Sequence, residues 1–185
     1  GMVANADNKS LLTSNIRSLS DAYLAKGDYP NALTYYQQYL DKIQDAAKAS
    51  DISGLGTLYT TMASTQTGAD QTASYQKADQ IYQSLGQKFP ANLVYANFMR
   101  ARVNSYMDPE TKTGLAKPYY EAVATALSSQ ATTDDIDKTR LIEAFRYLGY
   151  YYFINNNKST ADTYWNKVLA LDPNNEMAKQ ALGKK

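Results

Sequence analysis

The chain has 185 residues, 44% of them hydrophobic, and its 19 basic and 18 acidic residues leave a formal charge of +1. This length suits one buried core or a short array of stacked repeats. The interspersed charge argues against a nucleic-acid partner and against a polybasic membrane anchor. Cysteine and histidine are absent, which excludes disulfides, thiolate or imidazole catalysis and the usual zinc ligands, so we expect no metal and no cofactor.

Apolar residues recur three or four positions apart along the whole chain, which predicts helices and no strands. The first helical hairpin is divided between Gly27 and Pro30, because glycine commonly ends a helix and proline can open one. Further helices are predicted over 52–67, 72–88, 92–107, 115–129, 135–154 and 159–171, with a short last helix over 174–182. No apolar run reaches the roughly 18 residues that a membrane-spanning helix needs.

The best-defined motif lies near the C-terminus. Gly149, Tyr152, Ala161, Trp165, Val168 and Pro173 fall at the spacings of one tetratricopeptide repeat (TPR), and the chain resembles that family over most of its length. The resemblance implies an all-α, right-handed helical-hairpin solenoid of about four helix pairs and a capping helix. We expect a single domain over 8–183, with repeats near 13–50, 51–90, 91–130 and 135–173 and the capping helix at 174–183. The predicted repeat-defining core residues are Leu19, Tyr23, Ala32, Tyr36, Ala78, Tyr82, Ala116, Tyr120, Gly149, Tyr152, Ala161 and Trp165.

A second resemblance concerns residues 90–121, which include Ala101-Arg102, Asp108-Pro109, Lys112 and the run Gly114-Leu-Ala-Lys-Pro-Tyr-Tyr-Glu121. Together with the last repeat, this stretch is similar to secreted TPR proteins in the envelope of Gram-negative anaerobic bacteria. The resemblance implies a periplasmic or envelope-associated scaffold, and a cytoplasmic location stays open. Gly1 before Met2 is typical of a cleaved tag, so we expect a leader or upstream domains to have been removed.

TPR scaffolds usually bind extended peptides in a concave groove lined by the first helix of each pair. Carrying those groove positions onto this chain selects nine residues: Arg17, Asp21, Asn97, Arg100, Asn104, Glu143, Arg146, Tyr150 and Phe153. The resemblance therefore predicts a non-enzymatic scaffold for a protein or peptide partner, with arginine and tyrosine as anchors. The simpler interpretation is a solvated helix face with local ion pairs, such as Glu143 with Arg146.

Seventeen tyrosines leave a second hypothesis open. Neighbouring tyrosines on a helix point about 100° apart, so some must be exposed. Exposed tyrosines and Trp165 would then serve as sugar platforms in a glycan-binding or nutrient-capture module. An enzyme using only carboxylates and tyrosine is a third option.

Three further motifs are weak. Asp108–Gly114 resembles a calcium loop but places Lys112 at a ligand position. The acidic residues at 134–137 are expected to cap a helix, and Gly54-Leu-Gly56 lacks the strand that a dinucleotide site needs. Stacked repeats end in apolar faces, so further repeats or a dimer contact are expected at the N-terminal face.

Overall fold

A computed structural model describes residues 2–129 and 134–184, with side chains described from residue 10 onward. Nine α-helices lie in these residues: α1 (Met2–Ala25), α2 (Tyr29–Ile43), α3 (Ala49–Ser64), α4 (Gly68–Lys88), α5 (Leu93–Met107), α6 (Lys117–Ser128), α7 (Asp135–Ile154), α8 (Lys158–Leu171) and α9 (Glu176–Ala181). Two short 3-10 helices, Gln44–Ala46 and Pro90–Asn92, accompany them, and the described ranges contain no strand. The predicted all-α, helical-hairpin architecture is confirmed.

Capping residues set where several of the helices begin. Gly27 adopts a φ of +74° after α1, and the Asp28 side chain accepts the Asn31 amide at the start of α2. Asn175 caps α9 in the same way, so this helix begins at residue 176 rather than at the predicted 174. The predicted start of α6 at residue 115 is also early. Pro118 is tolerated only in a first turn, and α6 begins at Lys117.

The chain divides into two compact units, Gly1–Ile81 and Tyr82–Lys185. In the first unit α1 packs against α2, and α2 against α3. One buried cluster of this unit contains Ala32, Tyr36 and Leu58, with half-buried neighbours that include Tyr23, Leu33 and Leu55.

In the second unit α5 packs on α6, α6 on α7, α7 on α8, and α8 on α9. One continuous core runs through these helices and includes Phe98, Tyr120, Leu148, Trp165 and Ala178. The prediction of a single domain over 8–183, with its repeat boundaries, stays a prediction.

The predicted core residues are largely buried. Ala32, Tyr36, Ala78, Tyr82, Ala116, Tyr120, Gly149, Ala161 and Trp165 are buried, and Tyr23 and Tyr152 are half-buried. Leu19 is the exception, because 43% of its surface is exposed. The next residue, Ser20, faces inward instead, and its hydroxyl donates a hydrogen bond of 2.8 Å to the Ala32 carbonyl. A small residue at this point lets α1 approach α2 closely.

Asp108 organises the loop between α5 and α6. Its Oδ2 accepts the amides of Thr113 at 3.1 Å and Gly114 at 2.8 Å. Burial by itself raises the pKa of the Asp108 carboxyl. Hydrogen bonds from Thr113, Gly114 and Leu115 outweigh that effect and lower the pKa below its ordinary 3.8. The carboxylate therefore acts as the anchor of a turn.

We expect Asp108→Asn to destabilise the protein at neutral pH by about 1–2 kcal/mol, because amide hydrogen bonds to a charged acceptor are lost. A lowered carboxyl pKa contributes stability above the ordinary value of 3.8, and that contribution disappears as pH falls through the folded-state value. Urea titrations from pH 7 to pH 2.5 should therefore show the two proteins converging at the acid end. The exposed Asp45→Asn is the control. If the difference in free energy of unfolding between the two proteins stays constant across this pH range, the lowered pKa of Asp108 is contradicted.

Candidate functional site

The predicted groove residues of α7 lie on one face of that helix. Glu143 and Arg146 are half-buried, whereas Tyr150 is 46% exposed and Phe153 is 57% exposed. The opposite side of α7 is buried in the core through Leu141, Ala144, Phe145 and Leu148. A spacing of three, four and three residues keeps the four groove side chains in one stripe, because an α-helix has about 3.6 residues per turn.

Glu143 accepts hydrogen bonds within the second unit, and these connect α7 with α5 and α6. Its carboxylate accepts Arg102 Nε at 2.8 Å and Arg102 Nη2 at 2.7 Å, a bidentate pair between α7 and α5. The Tyr120 hydroxyl of α6 donates to the same carboxylate at 2.9 Å. Burial, followed by the nearby Glu143 charge, raises the pKa of Tyr120, so this phenol stays protonated as a donor.

The expected local ion pair between Glu143 and Arg146 does not form, because Arg102 and Tyr120 already occupy the carboxylate. Arg146 turns toward α9 instead, where its Nη2 donates to the Met177 sulfur at 3.4 Å. Its Nε is buried and has no hydrogen-bond partner among the described residues. Sulfur is a weak acceptor, so Arg146 has unused donor capacity.

Two cavities lie along this stripe. The Arg146 cavity, of about 370 Å³, is lined by Ser105, Tyr120, Glu143, Arg146, Tyr147 and Met177. The Tyr150 cavity, of about 380 Å³, is lined by Pro109, Glu110, Lys112, Tyr150, Ile154 and Asn155. Both volumes lie within the range of small-ligand and side-chain pockets. Lys112 is neutralised by an ion pair with Glu110 at the rim of the second cavity.

Two of the three predicted groove residues of α5 form hydrogen bonds within the protein. Arg100 donates to the Tyr119 hydroxyl at 2.9 Å, and its guanidinium lies 4.3 Å from the Tyr119 ring centre. Asn104 is buried and donates to the Arg100 carbonyl at 2.9 Å. Asn97 is half-buried. These contacts explain the conformation of Arg100 without a ligand, so a binding role for the three residues stays a prediction.

Arg17 and Asp21 belong to the first unit and pair with each other at 3.2 Å. Arg17 also donates to the Tyr36 hydroxyl at 2.7 Å, with its guanidinium 4.3 Å from the Tyr36 ring centre. The Tyr36 hydroxyl in turn donates to the Asp51 carbonyl at 2.9 Å. The structure therefore places Arg17 in a network that ties α1 to α2 and α3, and its predicted binding role stays untested.

The aromatic residues separate into core and surface groups. Trp165 is only 3% exposed and faces Gly149, so it is not available as a sugar platform. Tyr152 stacks on Tyr164 with centroids 5.7 Å apart. Burial raises the pKa of Tyr147 to about 12, which keeps this phenol neutral. Tyr150 and Phe153 are the aromatic residues of the predicted groove that reach solvent.

Comparison with solved structures decides the fold. The chain is similar to the C-terminal part of a TPR repeat-containing protein from Cytophaga hutchinsonii, with a TM-score of 0.54, 24% identity and 96% of each chain covered. It is also similar to MamA from Desulfovibrio magneticus RS-1, with a TM-score of 0.62 and 19% identity over 92% of this chain and 81% of that one. A double mutant of MamA RS-1 gives a TM-score of 0.63 at the same identity and coverage. The chain has the tetratricopeptide repeat fold.

At these identities the likeness establishes the TPR fold and no partner. Neither protein-family profiles nor curated protein sequences give a match. Among the residues that the structure describes, no group of acidic side chains could hold a metal ion, and no helix is long and apolar enough to cross a membrane.

Three residues that bond to the predicted groove residues of α7 were not predicted from the sequence: Arg102, Tyr120 as a hydrogen-bond donor, and Met177. Arg102 precedes Glu143 by 41 positions, and no periodic pattern links the two residues. Only the arrangement of α5, α6 and α9 around α7 brings these three side chains next to Glu143 and Arg146.

Proposed function

We propose that this chain is a non-enzymatic TPR scaffold that binds a protein or peptide partner along the α7 groove, defined here as Glu143, Arg146, Tyr150 and Phe153 with the two adjacent cavities. The proposal rests on one observation. Arg146, which has no carboxylate partner, lies on the same stripe of α7 as two exposed aromatic side chains. Arginine and aromatic residues dominate the energetics of protein interfaces. The chemistry of the groove also supports binding rather than catalysis. The carboxylate of Glu143 is bound by Arg102 within the protein, and this is the only carboxylate–arginine pair among the described residues of the groove.

We expect the double variant Arg146→Glu, Tyr150→Ala to lose binding by about a hundredfold, because each anchor of this kind contributes roughly 1–2 kcal/mol or more. Peptides selected by display against the wild-type chain would be measured by fluorescence polarisation on both proteins. The far-ultraviolet circular dichroism of the two should coincide, since both side chains are at least partly exposed.

The matched control for this experiment is Lys138→Glu, which makes the same change of charge on an exposed part of α7 outside the stripe. It should bind the selected peptides like the wild type. Equal binding by all three proteins would remove the α7 groove from the proposal.

The glycan-binding alternative loses Trp165 to the core and rests on exposed aromatic side chains such as Tyr106, Tyr150 and Phe153. Soluble oligosaccharides that raise the melting temperature of the wild type, but not of Tyr150→Ala, would favour it over a peptide partner.

We also propose a location in the bacterial cell envelope, which rests on the resemblance of residues 90–121 to secreted TPR proteins. Recovery of the protein in the periplasmic or membrane fraction of the source cells would support this, and recovery only with cytoplasmic markers would contradict it.

A further inference from the structure

This inference rests on the proposed function and concerns the chemistry of the partner. Arg17, Arg102 and Arg140 each form an ion pair with a carboxylate of the chain. Arg146 forms none among the described residues, and its recorded contact is the Met177 sulfur. A half-buried guanidinium that lines a cavity, with an unbonded Nε and a thioether at Nη2, lacks the acceptor it binds best, which is a carboxylate.

The charges around the Arg146 cavity favour an anion. Glu143 would repel an incoming carboxylate, but its charge is balanced by the bidentate pair with Arg102, and Tyr120 donates a further hydrogen bond to it. The sum over Arg102, Glu143 and Arg146 is one positive charge. One net positive charge balances the charge of a single carboxylate, which a guanidinium can bind through two parallel hydrogen bonds.

The spacing of Arg146 and Tyr150 along α7 suits an extended ligand. Arg146 and Tyr150 are four residues apart on α7, which corresponds to about 6 Å along the helix axis. An extended peptide rises about 3.3 Å per residue and points alternate side chains to the same side, so two residues span this distance. Tyr150, Pro109 and Ile154 form the apolar part of the Tyr150 cavity, and Glu110, Lys112 and Asn155 form its polar part.

We propose that the α7 groove binds an extended acidic peptide segment, in which an Asp or Glu side chain replaces the Met177 thioether at Arg146. An apolar side chain two positions away enters the Tyr150 cavity. Met177 thus acts as a displaceable cover of the anion site, and α9 contributes to ligand recognition.

The first test introduces the carboxylate as a side chain of the protein itself. Met177→Glu places a side chain of similar length next to Arg146, and Met177→Gln is its uncharged counterpart. A double-mutant cycle with Arg146→Gln measures whether the added charge acts through Arg146, because any effect of charge at the start of α9, near Glu176, is common to both backgrounds. We expect Met177→Glu to shift the folding equilibrium constant by about threefold or more over Met177→Gln, and only when Arg146 is present. No coupling would overturn the assignment of Arg146 as a carboxylate site.

The second test uses pools of peptides with a central Asp, apolar residues two positions away on either side and mixed polar residues elsewhere, so that chain direction does not matter. The control pool replaces Asp by Asn. We expect the wild-type chain to retain the Asp pool about tenfold better. Met177→Glu should abolish this preference, whereas Met177→Gln should keep it.

The outcomes separate this inference from the proposed function. Equal retention of the Asp and Asn pools, lost on Arg146→Glu, Tyr150→Ala, would overturn the acidic ligand and leave peptide binding in the groove intact. Retention of neither pool would overturn the acidic, extended ligand, while display-selected peptides would still test the groove. If the display-selected peptides bind the groove variant as well as they bind the wild type, both the acidic ligand and the proposed function are overturned.

Discussion

Replacing Trp165 by alanine is expected to lower the free energy of unfolding by about 3–5 kcal/mol, the usual cost of truncating a large aromatic residue in a core. Trp165 is 3% exposed and belongs to the continuous core of the second unit. Its indole Nε1 has no hydrogen-bond partner among the described residues, so the side chain contributes through packing rather than through a polar contact.

The close approach of α7 and α8 makes this packing specific. A Cβ atom on Gly149 would lie 2.8 Å from the Trp165 ring, which explains why glycine occupies the position in α7. Alanine at residue 165 would leave a cavity facing Gly149, which has no side chain to fill it. The cost should therefore lie near the upper end of the range.

Urea unfolding followed by circular dichroism is the measurement, because Trp165 is the single tryptophan and fluorescence is lost with it. The matched control is Phe153→Ala, which removes an aromatic ring that is 57% exposed and should cost less than about 1 kcal/mol. Equal losses for the two variants would contradict the assignment of Trp165 as a core anchor.

Gly54→Ala is expected to destabilise the first unit by about 2 kcal/mol, although alanine is the better helix former by roughly 1 kcal/mol. A Cβ atom at this position of α3 would lie 2.0 Å from the Tyr36 hydroxyl oxygen. That hydroxyl accepts from Arg17 and donates to the Asp51 carbonyl, so it cannot move aside without breaking both hydrogen bonds. The steric and hydrogen-bond losses together exceed the gain in helix propensity.

A double-mutant cycle with Tyr36→Phe tests the cause. Removing the hydroxyl should relieve much of the clash, so Gly54→Ala should cost at least about 1 kcal/mol less in that background. Thermal unfolding followed at 222 nm gives the four stabilities. If Gly54→Ala costs the same in both backgrounds, the Tyr36 hydroxyl is not the obstacle.

Much of the helical architecture could be predicted because its signals are local. The apolar period of three to four residues and the sequence of Gly27 followed by Pro30 each act within a few residues of the chain. Local interactions decide where a helix begins and ends, and the observed bounds lie within a few residues of those predicted. Leu19 shows the limit, since only the approach of α2 turns Ser20 rather than Leu19 inward.

The candidate site was less predictable. Helical spacing places Glu143, Arg146, Tyr150 and Phe153 on one stripe, which the structure shows. Spacing cannot say which charged groups are already bonded. The pairing of Glu143 with Arg102 depends on how α5 packs against α7, and that pairing leaves Arg146 without a carboxylate.

The sequence by itself determined an all-helical repeat protein without cysteine or histidine chemistry, because composition and the period of apolar residues are properties of the linear chain. Only the tertiary structure decided which side chains face a cavity and which are consumed by internal ion pairs. Those outcomes depend on contacts between helices far apart in sequence, such as Arg146 with Met177, 31 positions away. A hydrogen bond between residues so far apart in the sequence depends on how the helices pack, and no local sequence pattern predicts it.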